Sequence, residues 1–433
     1  MHRHSLRALR LLKDASKAAI AGTGLALLAA GCAGVPQARS SAGEARAELD
    51  SSQFARIDAA VQATIADRQM PGAVFHLERG SARYQQAYGR LTHAPGAPAV
   101  TLDTVFDAAS LSKVLATAPS ILLLLEDGKL DLEAKFARYV PECAGGGKDA
   151  ITVRQLLTHT SGLAAGLPAK MDASGAAWRG EDAALALACA QPLKHAPGSV
   201  FNYSDINYVL LGQLVRRMSG MPIDEFARQR IFLPLGMQHT GYLPLRRLPA
   251  QRIAPTHQAP AAGPIAPHGD VPAGATLQGV VHDPTVRRMG GVAGSAGVFS
   301  TVHDIARFAR MLLGEGELDG VRVLSRASVR LLGTVQTPPG MAALRGVGMD
   351  IDSPFAKRPR GTLFPVGSYG HTGFTGCVLW IDPASRTFYV FLSNRVYPDD
   401  KGNVLPLYTM LGTLSAQAAR VAAGPAPQLV ASP

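Results

Sequence analysis

Ser110 and Lys113 stand three residues apart in Ala109-Ser110-Leu111-Ser112-Lys113. On a helix that spacing puts a hydroxyl and an amine one turn apart on the same face. If the surroundings lower the lysine pKa, the neutral amine can take the serine proton and Ser110 becomes a nucleophile. Lys113 leads the apolar run Val114-Leu115-Ala116-Thr117-Ala118 and a set of leucines, which gives it the opportunity to be desolvated. A serine at a helix N-terminus also gains from the positive end of the macrodipole, and its own N–H can support an oxyanion. An S-x-x-K pair arises by chance about once in a chain of this length, so the pair needs partners. Read alone, Ser110 is equally an N-cap and Lys113 a solvated first-turn residue.

Two further groups could supply them. Tyr203-Ser204-Asp205 follows Pro197-Gly198, and a tyrosine near a lysine can share its proton as general acid or base. Gly370-His371-Thr372-Gly373-Phe374-Thr375-Gly376 precedes an apolar strand pattern. Its glycines allow close backbone approach to a ligand, and a threonine hydroxyl with a strand-edge N–H could bind a substrate carboxylate or carbonyl. The bland alternatives are an aromatic packed at a helix start and a glycine-rich turn.

The elements that must position these residues are legible in the periodicity. Ser52 to about Gln69 reads as an amphipathic helix, stopped by Pro71-Gly72. Ala73–Leu77 and Tyr84–Tyr88 read as strands, and so do Cys377–Ile381 and Thr387–Leu392 on either side of a turn at Asp382-Pro383-Ala384-Ser385. Ser110–Glu126, Val153–Thr158, Asp182–Cys189, Ile206–Met218 and Pro406–Val421 read as helices. Residues 244–275 are rich in Pro and Ala and suit a long surface loop. The expected fold class is α/β (α+β): a sheet-and-helix lobe from residues 50–109 and 296–423, interrupted by a helical lobe over about 110–295.

In order and spacing these groups resemble the serine β-lactamase and penicillin-binding-protein superfamily, in its class C β-lactamase-like branch of D,D-peptidases and carboxylesterases. The resemblance runs from about Phe54 to Val421. It includes the phrases Leu156-Leu157-Thr158-His159-Thr160-Ser161-Gly162-Leu163, Tyr203-Ser204-Asp205-Ile206-Asn207-Tyr208 and Gly290-Gly291-Val292-Ala293-Gly294-Ser295-Ala296-Gly297-Val298-Phe299-Ser300. It implies a β-lactamase-like fold, an antiparallel sheet flanked by helices with an all-helical insertion. It implies Ser110 as the acylated nucleophile, Lys113 as its proton partner and Tyr203 as the relay to the leaving group. The N–H groups of Ser110 and Phe374 would form the oxyanion hole, with His371, Thr372 and Gly373 lining the substrate's carboxylate side. No metal or organic cofactor is implied. Two positions depart from the pattern. Asp205 replaces an asparagine, and its carboxylate could either hold Lys113 protonated or help the relay. His371 replaces a lysine, and a neutral imidazole binds a carboxylate less well than an ammonium.

The implied activity is hydrolysis of a peptide, amide or ester, of D-Ala-D-Ala carboxypeptidase or carboxylesterase type, on a small molecule or a peptidoglycan peptide. The alternatives are a β-lactamase and a catalytically weak penicillin-binding or scaffold lipoprotein. Composition fits a large enzyme: 433 residues, 47% hydrophobic, formal charge +11. The basic pairs Arg246-Arg247, Arg287-Arg288 and Lys357-Arg358 are scattered without interleaved aromatics, which argues against a nucleic-acid groove. Arg3, Arg7, Arg10, Lys13 and Lys17 precede the short apolar stretch 18–30, the pattern of a secretory signal. Its end, Ala29-Ala30-Gly31-Cys32, resembles a bacterial lipobox, so residues 1–32 are expected to be a lipoprotein-type signal ending at the lipobox cysteine, with Cys32 lipidated and becoming residue one. That anchors the protein to a periplasmic membrane face, with Ala33 favouring the outer membrane. Residues 33–49 would be a tether and 424–433 a tail. Of the remaining cysteines, Cys143 and Cys189 are open to either a bridge or two buried thiols, and Cys377 falls in a strand pattern. The 12 histidines are dispersed, and no Cys/His group has metal-ligand spacing.

Overall fold

Seven strands form one antiparallel sheet in the computed structural model, which describes residues 48–169, 178–262, 268 and 270–421. The leader, Cys32, nearly all of the tether and the 424–433 tail lie outside the described residues. The strands are β1 Gly72–Arg79, β2 Ala82–Gly89, β3 Leu344–Arg345, β4 Asp350–Asp352, β5 Tyr369–Gly373, β6 Cys377–Asp382 and β7 Thr387–Ser393. Their order is β2-β1-β7-β6-β5-β4-β3. β1 from the first part of the chain therefore pairs with β7 from its end, with Phe75 opposite Phe391. Both faces of the central strands are covered, so β6 and β7 read as continuous apolar runs rather than as alternation.

The period of two still sorts the side chains. Phe75, Trp380, Tyr389 and Phe391 face one side, where they pack with Ile57 and Val61 of helix Phe54–Ala66 and Leu407 and Leu411 of helix Leu405–Ala418. Val74, Leu379, Val390 and Leu392 face the other, against Ile305, Phe308 and Leu312 of helix Val302–Leu313. Glu78 on β1 receives two hydrogen bonds from Arg310 on that helix, each 2.7 Å, which locks the helix to the sheet.

The second lobe is built around the stretch Ala109–Glu126. It starts as a 3-10 turn, Ala109–Leu111, passes through a π turn, Lys113–Thr117, and continues as an α-helix, Ala118–Glu126. This run is apolar and long enough to cross a bilayer, yet it is mostly buried in the body as a core helix. Helix Asp205–Ser219, capped by Ser204, packs beside it, and helix Val153–Leu157, opened by a reciprocal Thr152–Gln155 capping box, packs against helix Asp205–Ser219. Cys143 and Cys189 are joined, and the bridge ties the turn Pro141–Cys143 to helix Glu181–Ala190. Cys377 is a buried free thiol.

Two expectations need correction. The glycine-rich group at 370–373 is itself a strand, β5, because its backbone pairs with β6 while its glycines make room for neighbours. Low β-propensity hid it. The 244–275 segment is not a surface loop throughout. Ile253, Ala254, Thr256 and His257 are buried, and His257–Gln258 pairs with Thr276–Leu277. Proline and alanine marked irregular backbone there, but irregular backbone can also run inside a lobe when its N–H groups find partners, as Ala254 does on the Val105 carbonyl.

Burial alone would raise the Glu78 carboxyl, but Arg310 and His76 outweigh it and hold the carboxyl down to about 2. The stabilisation is complete above the ordinary value of 4.5 and is lost as pH falls through about 2. Glu78→Gln should therefore cost about 2–3 kcal/mol at neutral pH. The deficit relative to the unmodified protein should shrink between pH 4.5 and about 2, as read by denaturant unfolding across that range; a deficit independent of pH would contradict the ion pair. Separately, alkylation of the unfolded, unreduced chain should spare Cys143 and Cys189 and reach both after reduction. Labelling of both without reductant, read by peptide mass, would contradict the bridge.

Candidate active site

Ser110 sits on a tight bend between a two-residue strand, Phe106–Asp107, and the core helix. The preceding Ala109 has φ +47°, a left-handed conformation uncommon for a residue with a Cβ. The bend is over-determined. Asp107 accepts the Ala109 N–H at 2.8 Å through one carboxylate oxygen and the His282 N–H at 2.7 Å through the other. Ser112 donates to the Ala109 carbonyl at 2.7 Å and accepts from the Val298 N–H at 3.0 Å. Ser112 and Asp107 are thus positioning residues that the spacing of the motif did not point out.

Lys113 is fully buried, and its ammonium has three partners. They are Asp205 Oδ1 at 2.7 Å, the Ser295 carbonyl at 2.8 Å and Ser110 Oγ at 3.1 Å. Three donors meet three acceptors, as a charged lysine requires. Burial by itself would depress its pKa; the Asp205 carboxylate outweighs burial and holds it above the ordinary lysine value. The sequence reading required a lowered lysine pKa, and the structure corrects that requirement. At 2.7 Å the Asp205 carboxylate favours the protonated form of Lys113 in the resting site, and the same contact leaves the two groups within reach of proton exchange. The Gly290–Gly297 phrase supplies the Ser295 carbonyl. Gly294 makes this possible, because a Cβ there would meet the Tyr208 carbonyl at 2.1 Å.

Tyr203 lies over this pair, its ring centroid 5.2 Å from Lys113 Nζ. His159 stacks on it at 4.3 Å and accepts the Ser204 N–H through Nδ1 at 3.0 Å, so the Thr158-His159-Thr160 phrase holds the tyrosine by ring and backbone together. Burial raises the Tyr203 phenol, while Lys113, the Ser110 hydroxyl and Arg345 act in the opposite sense. Arg345 is fully buried beneath it, paired with Asp350 and 5.9 Å from the ring. The Arg345–Asp350 pair is a second set that the sequence reading missed; no spacing signal marks it, because it acts only through the packing around Tyr203.

Gly373 and Phe374 close the other side. A Cβ on Gly373 would lie 2.5 Å from the Ala108 carbonyl, so only glycine lets β5 approach the nucleophile bend this closely. Thr375 donates to the Asp107 carbonyl at 2.6 Å, and Arg395 donates to the Phe374 carbonyl at 2.8 Å. These bonds turn the Phe374 carbonyl away, and the N–H groups of Ser110 and Phe374 have no backbone acceptor among the described residues. They are the two donors available to an oxyanion.

Ser110, Tyr203, Asp205 and Phe374 line one cavity of about 300 Å³, together with Asp107, His282, Asp283 and Asp400. His371 and Thr372 are not among its lining residues. His371 is buried, its Nδ1 donates to the Thr372 carbonyl at 2.7 Å, and its Nε2 is without a partner among the described residues. Burial, with Arg345 and Lys113 nearby, pushes its pKa well below the ordinary range, so it offers the substrate no charge. The described lining holds four aspartates and one histidine, and no lysine or arginine.

A Beta-lactamase family model matches residues 57–412. An Escherichia coli (strain K12) protein described as "Putative D-alanyl-D-alanine carboxypeptidase" is 32% identical over 320 residues, which is 68% of this chain and 70% of that protein. A solved penicillin-binding protein homolog from Caulobacter crescentus superposes with TM-score 0.64 at 22% identity, over 86% of this chain and 98% of its own. A family VIII carboxylesterase superposes with TM-score 0.62 at 20% identity, over 86% and 99%. With the antiparallel sheet, the helical insertion and the Ser110–Lys113–Tyr203 constellation already described, the chain belongs to the β-lactamase and penicillin-binding-protein superfamily of serine hydrolases.

Proposed function

We propose that the protein forms an acyl-enzyme on Ser110 from an ester, amide or peptide substrate and then hydrolyses it. The observation that carries this reading is the chain of short contacts from Ser110 Oγ to Lys113 Nζ, 3.1 Å, and from Lys113 Nζ to Asp205, 2.7 Å, at the floor of the cavity. The substrate carbonyl oxygen points at the N–H groups of Ser110 and Phe374. As Ser110 Oγ attacks the carbonyl carbon, Lys113 passes one proton to Asp205 and takes the serine proton, so the pair acts as one proton store. Tyr203 gives its proton to the departing alcohol or amine and is reprotonated by Lys113. Water then attacks the acyl ester and gives its proton to the neutral Lys113, which passes a proton to the departing Ser110 oxygen and recovers the one held by Asp205. The acid is released and Ser110 regains its hydrogen.

The substrate class is D-Ala-D-Ala carboxypeptidase-like or carboxylesterase. The named relative supports the first. The charge of the cavity favours the second: an anionic substrate end would meet Asp205, Asp283 and Asp400 without a lysine or arginine among the described lining residues. The same charge disfavours β-lactam carboxylates. The leader pattern supports a bacterial periplasmic location with a lipid anchor at Cys32, and Ala33 supports the outer membrane. An intact nucleophile, lysine and tyrosine weigh against a scaffold without chemistry.

Ser110→Ala should abolish covalent labelling by a fluorophosphonate and lower turnover of p-nitrophenyl esters by about 10³-fold or more. Equal turnover by both proteins would remove Ser110 from the mechanism. Asp205→Asn should free Lys113 from the charge that holds its proton, leaving burial to depress its pKa. The rising limb of the pH profile for acylation should then move toward acid. The rate at the optimum should drop about 10²-fold, because the proton store is gone. Stopped-flow acylation across the pH range reads both effects, and a limb that stays in place would show that Lys113 is not the titrating base.

A further inference from the structure

Histidines dispersed along the chain gather around Asp400, which with His282 lines the Ser110 cavity. His268 Nε2 is 3.1 Å from Asp400 Oδ2, and His282 Nε2 is 2.7 Å from Asp400 Oδ1. The rings of His257 and His268 lie 4.2 Å apart between centroids, and those of His268 and His282 lie 4.6 Å apart. Donor atoms of His257, His268 and Asp400 all fall within 4.8 Å of one another. The three histidines are 1%, 1% and 5% exposed. His257 is the telling member, since both of its ring nitrogens are buried without a partner among the described residues. A buried polar group left without a partner is costly, so something should complete it. Asp400, at φ +67°, is held in a left-handed turn that presents its carboxylate to the rings.

We propose that His257, His268, His282 and Asp400 form a binding site for a divalent transition cation of the zinc class. Three imidazoles and a carboxylate are the donor set such an ion takes in a four-coordinate site, and an imidazole nitrogen with no other partner is the ligand it completes. Each ring binds through one nitrogen with its proton on the other. For His268 bound through Nε2, Nδ1 would carry the proton, and Arg287 Nη2, now 2.9 Å from it, would give up that contact while staying on Asp270. Arg287 retains two contacts to Asp270, each 2.8 Å, and its bonds to the Val281 and His282 carbonyls. With four protein donors the site is closed, which makes the ion a clip on the cavity wall and not a participant in acyl transfer.

The clip has a direct line to the nucleophile. The His282 N–H is bonded to Asp107, whose other oxygen holds the Ala109 N–H beside Ser110. The His282 ring also stacks 5.7 Å from Phe374. Four ligands from segments around 257, 268, 282 and 400 would thereby fasten both the bend and the Phe374 side of the cavity.

The test uses the full chain, untagged, stripped with a chelator and titrated with Zn²⁺ or Co²⁺. About one ion should remain per chain after gel filtration, Co²⁺ should show the intense visible bands of tetrahedral coordination, and Zn²⁺ should raise Tm. His257→Gln and Asp400→Asn should each weaken binding about tenfold or more in competition with a chromophoric chelator. His303→Gln, at an exposed histidine elsewhere, should bind like the unmodified protein. Near-UV circular dichroism confirms that each variant is folded, and Asp400→Asn, which keeps the side-chain shape, stands in if His257→Gln is not. Binding of no more Zn²⁺ by the unmodified protein than by folded His257→Gln or Asp400→Asn, or loss of binding only in His303→Gln, would overturn the site.

Discussion

A lysine ammonium without solvent contact is the constraint around which the rest is arranged. Taking one positive charge out of water is costly unless every proton on it finds an acceptor and an opposite charge stands close. Here the charge comes from Asp205, at the start of helix Asp205–Ser219, and the remaining acceptors from Ser110 and the Ser295 carbonyl. Three separate parts of the chain must therefore arrive at one point. The disposition of the helical lobe against the bend before Ser110 follows from that meeting as much as from apolar packing.

The same arrangement explains why so many glycines and polar groups surround the site. Gly294 and Gly373 stand where a side chain would strike a backbone carbonyl, and each lets one segment lie against another. Asp107 and Ser112 tie down a bend that Ala109 adopts at a conformational cost. Pre-organisation of this kind leaves little for the substrate to rearrange. Ser110 and Phe374 both line the cavity, and their N–H groups, without a backbone acceptor among the described residues, are donors of the kind that stabilises an oxyanion.

The two departures at Asp205 and His371 have different consequences. Asp205 adds a charge that sets the protonation of Lys113. His371 removes one, since its imidazole is buried and neutral. Asp107, Asp205, Asp283 and Asp400 line the cavity, and His371 does not reach its lining. The difference that these two positions make lies in side chains and not in the fold.

Local pattern was enough for much of this protein. Apolar runs marked β1, β6 and β7, helical periodicity marked the core helix and its neighbours, and Ser110, Lys113 and Tyr203 stood out because type and spacing are local properties. The edge strand β3 and its neighbour β4 are two and three residues long, and β5 is rich in glycine, so none of the three carries a periodic signal and each exists only because a neighbour pairs with it. The protonation of Lys113 was likewise beyond the motif, because it depends on the distance to a carboxylate 92 positions away. So were the Arg345–Asp350 pair under Tyr203, the Cys143–Cys189 bridge and the gathering of His257, His268 and His282 around Asp400. Chemical identity is written residue by residue, whereas the electrostatic state of a group and the company it keeps are set by distance and burial, which only the folded chain decides.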